Sequence, residues 1–257
     1  MAANEKFLTK QQRYRPVTLP QDFSDEELVR DWTISENDKK EINRYRTNSR
    51  LFIAIQLCAV RLYGRFLKKA DDLSPRIVSY LNSQLGLPPS LTIKAPERDA
   101  TFSEQRKNIL AYLGFSKYDD KVQSRLQAWL AKQAKQGFLP DELFPRAEQF
   151  LLNSKVVLPG PSVMERLIIN VCSEVHEELF EELYGQLSPM IKQAIDELLV
   201  ANPGDHRSLF YLLKEYPPTA TITSIQRYLD RYHALESTGI DAIEWQYLDS
   251  AFMDYLY

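Results

Sequence analysis

The chain has 257 residues, 44% hydrophobic and 26% charged, with 8 glycines, two cysteines and a formal net charge of −3. That composition belongs to a folded protein with a sizeable core, and the scarcity of glycine argues against phosphate cradles and tight hairpins. Neither GxGxxG nor GxxxxGK[ST] occurs, the N-terminus MAANEKFLTKQQRYR has no apolar leader region, and no stretch approaches the length of a membrane span.

Taken in chain order, the segment LTKQQRYRP reads as an extended basic arm. In that reading Arg13 and Arg15 would reach a minor groove, as arms on other helical binders do. Ser24-x-x-Glu27 forms a capping box that opens DEELVRDW, and Ser35 precedes ENDKKEINRYR with acids in its first turn. A short turn through Thr33 and Ile34 joins the two, a helix-turn-helix-like spacing. A longer helix is expected from about Asn48 to Lys69. Ser74-Pro75 starts the next, with proline at the first helical position, and Gly86 stops it. Thr101-x-x-Glu104 opens a helix closing at Gly114, Asp119 to Gln136 forms another, and Leu139-Pro-Asp begins one ending near Lys155. After the break VVLPGPS come helices at Val163–Leu183, from Ser188-Pro189, around HRSLFYLLKEY, from Ser224 and from Asp241. No period-2 strand pattern interrupts them, so the class is all-α. The last helical pattern is still running at Tyr257, which suggests a fragment of a longer chain.

The small net charge hides an asymmetry. Residues 1–158 hold 26 Lys and Arg against 19 Asp and Glu, whereas residues 159–257 hold 6 against 16. Residues 39–69 alone carry nine bases and one acid, the footprint of a surface for a polyanion or, equally, of a solvated face. The expected organisation is two tandem helix-turn-helix-like modules, residues 1–70 with the arm and 71–158, followed by an acidic helical connector over 159–257.

The stretch RYRTNSRLFIAIQLCAVRLYGRFL sets arginines into an apolar helical run. At about 100° per residue, Arg50, Arg61, Arg65 and Lys68 fall within roughly 60° of one another, while Leu51, Ile55, Cys58, Leu62 and Phe66 follow a buried stripe. Ala54 and Leu57 lie inside the basic sector and would permit close approach to DNA, with Arg44 and Arg46 just ahead of the helix. The alternative is that these arginines pair with acids elsewhere in the chain. In DDKVQSRLQAWLAKQAKQG, Lys121, Arg125, Lys132 and Lys135 cluster within roughly 80°, opposite Val122, Leu126, Trp129 and Leu130, with no acid after Asp120. Such a face suits a duplex, although a membrane surface or a partner helix would also accept it.

RLFIAIQLCAVRLYGRFL, SPRIVSYLNSQLGL, NILAYLGFSKYDD, RLQAWLAKQA and VVLPGPSVMERLI, in that order, resemble the N-terminal part of replicative transposases of the Tn-three (TnA) family. The resemblance covers about Phe7 to Leu183 and continues loosely through HRSLFYLLKEYPP. It implies a helical region that binds the terminal inverted repeats of a transposon. It also implies catalysis by an acidic metal-binding triad much further along the chain, beyond the residues present. The expected partners are double-stranded DNA at transposon ends and the catalytic region of the same transposase, with self-association open. No cofactor and no membrane are expected, and the location would be cytoplasmic, on the nucleoid.

Catalytic patterns are weak. His176, His206 and His233 are scattered without an i+4 histidine or a CxxC, and His176 reads as a surface residue. Glu177, Glu178, Glu181 and Glu182 read as a solvated face, and Cys58 and Cys172 as buried thiols. The aromatic-rich end, Tyr228, Tyr232, Trp245, Tyr247, Phe252, Tyr255 and Tyr257, reads as packing against further protein rather than as stacking on bases. A helical protein-interaction module using the acidic half is the competing reading.

Overall fold

In a computed structural model, the described residues are 6–14, 22–67, 73–88, 93, 95–96, 98–201, 203–204, 206–215 and 221–239. They form α1 (Lys10–Tyr14), α2 (Asp25–Trp32), α3 (Glu36–Ile42), α4 (Thr47–Tyr63), α5 (Pro75–Leu85) and α6 (Asp99–Leu113). These are followed by α7 (Asp120–Ala134), α8 (Pro140–Asn153), α9 (Pro161–Gln186), α10 (Pro189–Leu199), α11 (Leu209–Leu213) and α12 (Ile222–Glu236). The described residues contain no strand, only isolated bridges such as Ser116 with Val156. The fold is all-α and multi-helical. The expected helix from Asp241 lies outside the described residues.

Local chemistry explains the boundaries. Ser24 and Ser35 each accept from the backbone N–H three residues on, and Glu27 and Asp38 return the bond to the cap N–H. Both reciprocal pairs satisfy donors that a helix start leaves orphaned. Gly64, Gly86 and Gly114 end α4, α5 and α6 in the left-handed conformation, as helix-stopping glycines do. The helix expected through Lys69 therefore stops at Tyr63, because Gly64 turns left-handed and its N–H closes on the Val60 carbonyl at 2.9 Å.

The chain divides into two compact units, residues 1–134 with 138–172, and residues 135–137 with 173–257, the division falling inside α9. In the first unit α4 is the central element, packed on α2, α3, α5 and α6. Every residue from Leu51 to Val60 is buried, Ala54 and Leu57 completely. A helix apolar on all sides belongs inside a core. This core draws on residues from Phe23 to Leu110. Gln56, the one polar residue of the buried run, is satisfied by a reciprocal pair of bonds with the Leu67 backbone. Cys58 is 0% exposed and burial pushes its thiol up to about 12, while burial raises Cys172 to about 11. Neither is poised as a nucleophile.

The VVLPGPS break is pinned within the first unit. Val157 N–H donates to Ser116 O at 3.0 Å and Leu158 N–H to Gly64 O at 2.9 Å. Beside it α7 packs on α8, with Trp129 stacked on Phe150 at 4.9 Å between ring centroids. In the second unit α11 packs on α10 and on α12. Arg231 donates to the Leu212 and Glu215 carbonyls, which fixes one side of α12 and leaves Ile222, Ile225, Leu229 and Tyr232 exposed on the other.

Candidate nucleic-acid interface

Most of the arginines singled out in the first half have structural partners. Arg61, on the last turn of α4, donates to Asp38 Oδ1 at 2.6 Å, and Tyr112 Oη donates to the same oxygen at 2.8 Å. Asp38 Oδ2 accepts the Ser35 N–H at 2.8 Å, so one carboxylate that is 1% exposed ties α3, α4 and α6 together. Burial opposes charge on Asp38, but the Arg61, Ser35 and Tyr112 hydrogen bonds outweigh it and leave the pKa below the usual carboxylate range. Arg65, 6% exposed, donates to Glu148 Oε1 at 2.7 Å and to the Pro159 carbonyl. Arg50 donates to the Tyr45 and Asn43 carbonyls, clamping the α3–α4 turn. The helical wheel that set Arg50, Arg61, Arg65 and Lys68 on one outward face is therefore corrected for Arg50 and Arg65, while Arg61 stays at the surface although paired with Asp38. Gly64 ends the helix before Arg65, Ala54 and Leu57 are sealed in the core, and Lys68 lies outside the described residues.

The N-terminal arm is corrected in the same way. Leu8 is buried, α1 is helical, and Arg13 makes a bidentate pair with Glu165 at 2.7 and 2.8 Å. Glu165, 3% exposed, also accepts the Leu8 N–H at 2.8 Å. The Arg13 hydrogen bond holds the Glu165 carboxyl below its ordinary range despite burial. Arg15 lies outside the described residues.

What remains outward is a smaller set. Arg44 is exposed and paired with Glu41 at 2.7 Å, and it helps line a shallow, open depression with Asn37, Lys40, Arg61 and Tyr112. Arg46 is exposed at the N-cap of α4 with no side-chain capping bond. The α7 face is the clearer one. Lys121, Arg125 and Lys132 are exposed, and no ion pair among the described residues reaches them. Leu126, Leu130 and Ala134 on the opposite side are buried. The Arg125 guanidinium lies 5.7 Å from the centre of the Phe150 ring, which gives it a fixed origin. Lys135, just past α7, is exposed and sits 3.3 Å from Glu178, both within the second unit.

Sequence reasoning missed Ala128, exposed in the middle of the same side of α7, because its methyl group belongs neither to the cationic cluster nor to the large apolar stripe. It also missed Arg106, whose guanidinium lies over Phe66 at 4.5 Å and Phe102 at 4.8 Å. No group of His, Cys, Asp and Glu able to hold a metal occurs among the described residues, and none of their helices is long and apolar enough to cross a membrane. His176, read as a surface residue, is half-buried, and burial lowers its pKa.

Among the described residues, Arg13, Arg50, Arg61 and Arg65 are engaged by carboxylates or carbonyls of the same unit, whereas the cations of α7 face outward. Residues 7–171 match the family described as "Domain of unknown function (DUF4158)", and the chain belongs to that family. The chain is 30% identical over 240 residues to the transposase for transposon gamma-delta of Escherichia coli K12, covering 90% of this chain and 24% of that protein. It is 25% identical to the transposase for transposon Tn501 of Pseudomonas aeruginosa, covering 92% of this chain and 24% of the relative. It is 21% identical to that for Tn1546 of Enterococcus faecium, covering 96% and 25% respectively. The resemblance to TnA-family transposases therefore extends over nine-tenths of the chain, which spans about a quarter of the length of these relatives.

Proposed function

We infer that this chain is the N-terminal, non-catalytic part of a transposase and binds double-stranded DNA sequence-specifically at the terminal inverted repeats of a transposon. The observation that carries the reading is the outward cationic face of α7 in a chain similar to transposases along most of its length. The face is held against α8 by its apolar side, so its charges are presented from a rigid base. Contacts to phosphates supply affinity, and contacts in the grooves supply discrimination. Arg44 and Arg46, exposed at the α3–α4 turn, form a second cationic point on the same unit. Arg13, Arg61 and Arg65 serve the interface by holding the scaffold, and substituting them acts on binding through the fold.

A fluorescence-anisotropy titration tests this, comparing the element's own terminal repeat with a scrambled duplex across a salt series. The expected preference is about a thousandfold or more. Replacing Lys121, Arg125 and Lys132 together by alanine is expected to lower the salt slope by about two to three and weaken binding at least about a hundredfold. Unchanged binding by a folded triple variant would remove α7 from the interface.

A second role is favoured by the second unit, where Met190, Ile222, Ile225 and Leu229 are 76, 79, 58 and 51% exposed. Apolar exposure repeated at helical spacing, as along α12, marks protein contact. The partner fitting the proposed function is the catalytic region of the same transposase, with 173–239 acting as connector. A separately expressed catalytic region should bind this chain, and Ile225→Asp with Leu229→Asp should abolish that binding while leaving DNA affinity intact. Equal capture of both forms would exclude the α12 face.

A further inference from the structure

The outward side of α7 is not uniformly cationic. Lys121, Arg125, Ala128 and Lys132 are all exposed and follow one another at intervals of four, three and four residues, within about 60° around the axis. The stripe runs about 16 Å along the helix, with Ala128 about 6 Å from Lys132 and Arg125 about 6 Å from Lys121. Its two ends are lysines and its middle is one arginine beside one alanine. A surface that only gripped phosphates from outside would gain from a long cation at every position. Here the centre is cut down to a methyl group, so the backbone of α7 can come close to whatever the lysines hold. The flanking polar side chains do not fill that space. Ser124 Oγ donates to the Asp120 carbonyl at 2.9 Å, and Gln123 and Gln127 are half-buried.

We propose that α7 enters the major groove with Ala128 against its floor, and that Arg125 is the specificity-determining residue that reads a G·C base pair there, which rests on the function inferred above. The dimensions suit the role. A major groove is about 12 Å wide and admits one helix. Lys121 and Lys132, at the ends of the stripe, carry flexible four-carbon stems that swing to the phosphate walls and act as point charges. Arg125 stands between them, one turn from Lys121 and about 4.5 Å along the axis from Ala128, where a side chain faces the floor. Its planar fork offers two parallel N–H donors, the complement of guanine O6 and N7. The Phe150 ring, 5.7 Å from the guanidinium, restricts its freedom before DNA arrives, so less side-chain entropy is lost on binding. No acid among the described residues competes for it by an ion pair.

The test is a set of duplexes carrying the element's terminal repeat with each base pair replaced in turn, titrated with the wild-type chain, Arg125→Ala and Lys121→Ala. Alanine is the best helix former and both positions are exposed, so both variants keep the fold. The wild type is expected to lose about tenfold or more in affinity when one particular G·C pair becomes A·T. Arg125→Ala should be indifferent at that pair and keep the wild-type profile elsewhere. Lys121→Ala should keep the whole profile, weaken binding evenly and lower the salt slope by about one. Ala128→Tyr, also at an exposed position, should weaken binding to the repeat about tenfold or more by holding the helix off the floor. A uniform loss in Arg125→Ala, or an unchanged profile, would overturn base reading by Arg125. Undiminished binding by Ala128→Tyr would overturn the entry of α7 into the groove. Both results leave repeat recognition standing. Equal wild-type binding to the repeat and to scrambled DNA would overturn the functional reading itself and this inference with it.

Discussion

Replacing Asp38 by alanine is expected to destabilise the chain by about 2–3 kcal/mol. Removing one member of a buried ion pair costs about 3–5 kcal/mol when its partner is stranded. Here the Arg61 side chain is 36% exposed and can turn to water, which moderates the loss. Against that, the same carboxylate also holds the Ser35 N–H and the Tyr112 hydroxyl, so α3 loses the returning half of its capping box while α6 loses its tie to α3 and α4. Asp38→Asn keeps the shape but removes the charge and is expected to cost roughly half as much. Urea unfolding followed by helical circular dichroism measures both, and an unmoved midpoint in Asp38→Ala would show that the three helices do not depend on this node. The pH dependence has a definite sign. Because the folded pKa of Asp38 is depressed, its contribution is fully present above the unfolded value near 3.9 and is lost as pH falls through the folded value. Glu165, Asp31 and Glu36 are depressed too and contribute to the same acid limb. The difference between wild type and Asp38→Asn isolates the Asp38 share, which should shrink below about pH 4.

The same node explains what could and could not be read from the chain. Capping boxes and helix-stopping glycines act over three or four residues, so Ser24 with Glu27, Ser35 with its acidic first turn, and Gly86 and Gly114 were legible in the sequence. The partners of the arginines were not, because Arg61 pairs across 23 residues, Arg65 across 83 and Arg13 across 152. A helical wheel holds only intrahelical information and cannot tell an outward arginine from one turned onto a distant carboxylate. The wheel of residues 50–68 also assumed a helix through Gly64, which placed Arg65 on a face it does not occupy. The α7 stripe was legible for the converse reason. With no acid after Asp120, α7 has no intrahelical counterion for its cations, and its Leu126 and Leu130 face inward as the spacing requires.

Gly64→Ala is expected to cost about 2–4 kcal/mol, and Gly86→Ala only about 1 kcal/mol, although both glycines end a helix at the same backbone angle. Their φ values are +60° and +61°, so an alanine at either place carries the same left-handed strain of about 1 kcal/mol. They differ in what a Cβ would meet. At Gly86 nothing lies within 4 Å, whereas at Gly64 the new carbon would fall 2.5 Å from Leu152 Cδ2 and 3.1 Å from Leu158 Cγ. Those leucines lie at the end of α8 and in the segment after it, where Leu158 N–H donates to the Gly64 carbonyl at 2.9 Å. Relief of the clash must therefore turn the Leu152 side chain within its packed surroundings, push α8 or strain that bond, and overpacking of this kind costs about 1–3 kcal/mol beyond the strain. Parallel urea titrations of the two variants separate the terms, since the gap between them is the packing part alone. Equal midpoints would mean that the Leu152 side chain swings aside at no cost and that α4 and the α8 end are not tightly joined at Gly64. A large gap would establish that the close approach at Gly64 locks the end of the central helix to the VVLPGPS segment. That segment is the path by which the chain passes from the α7–α8 pair, with its cationic face, into α9.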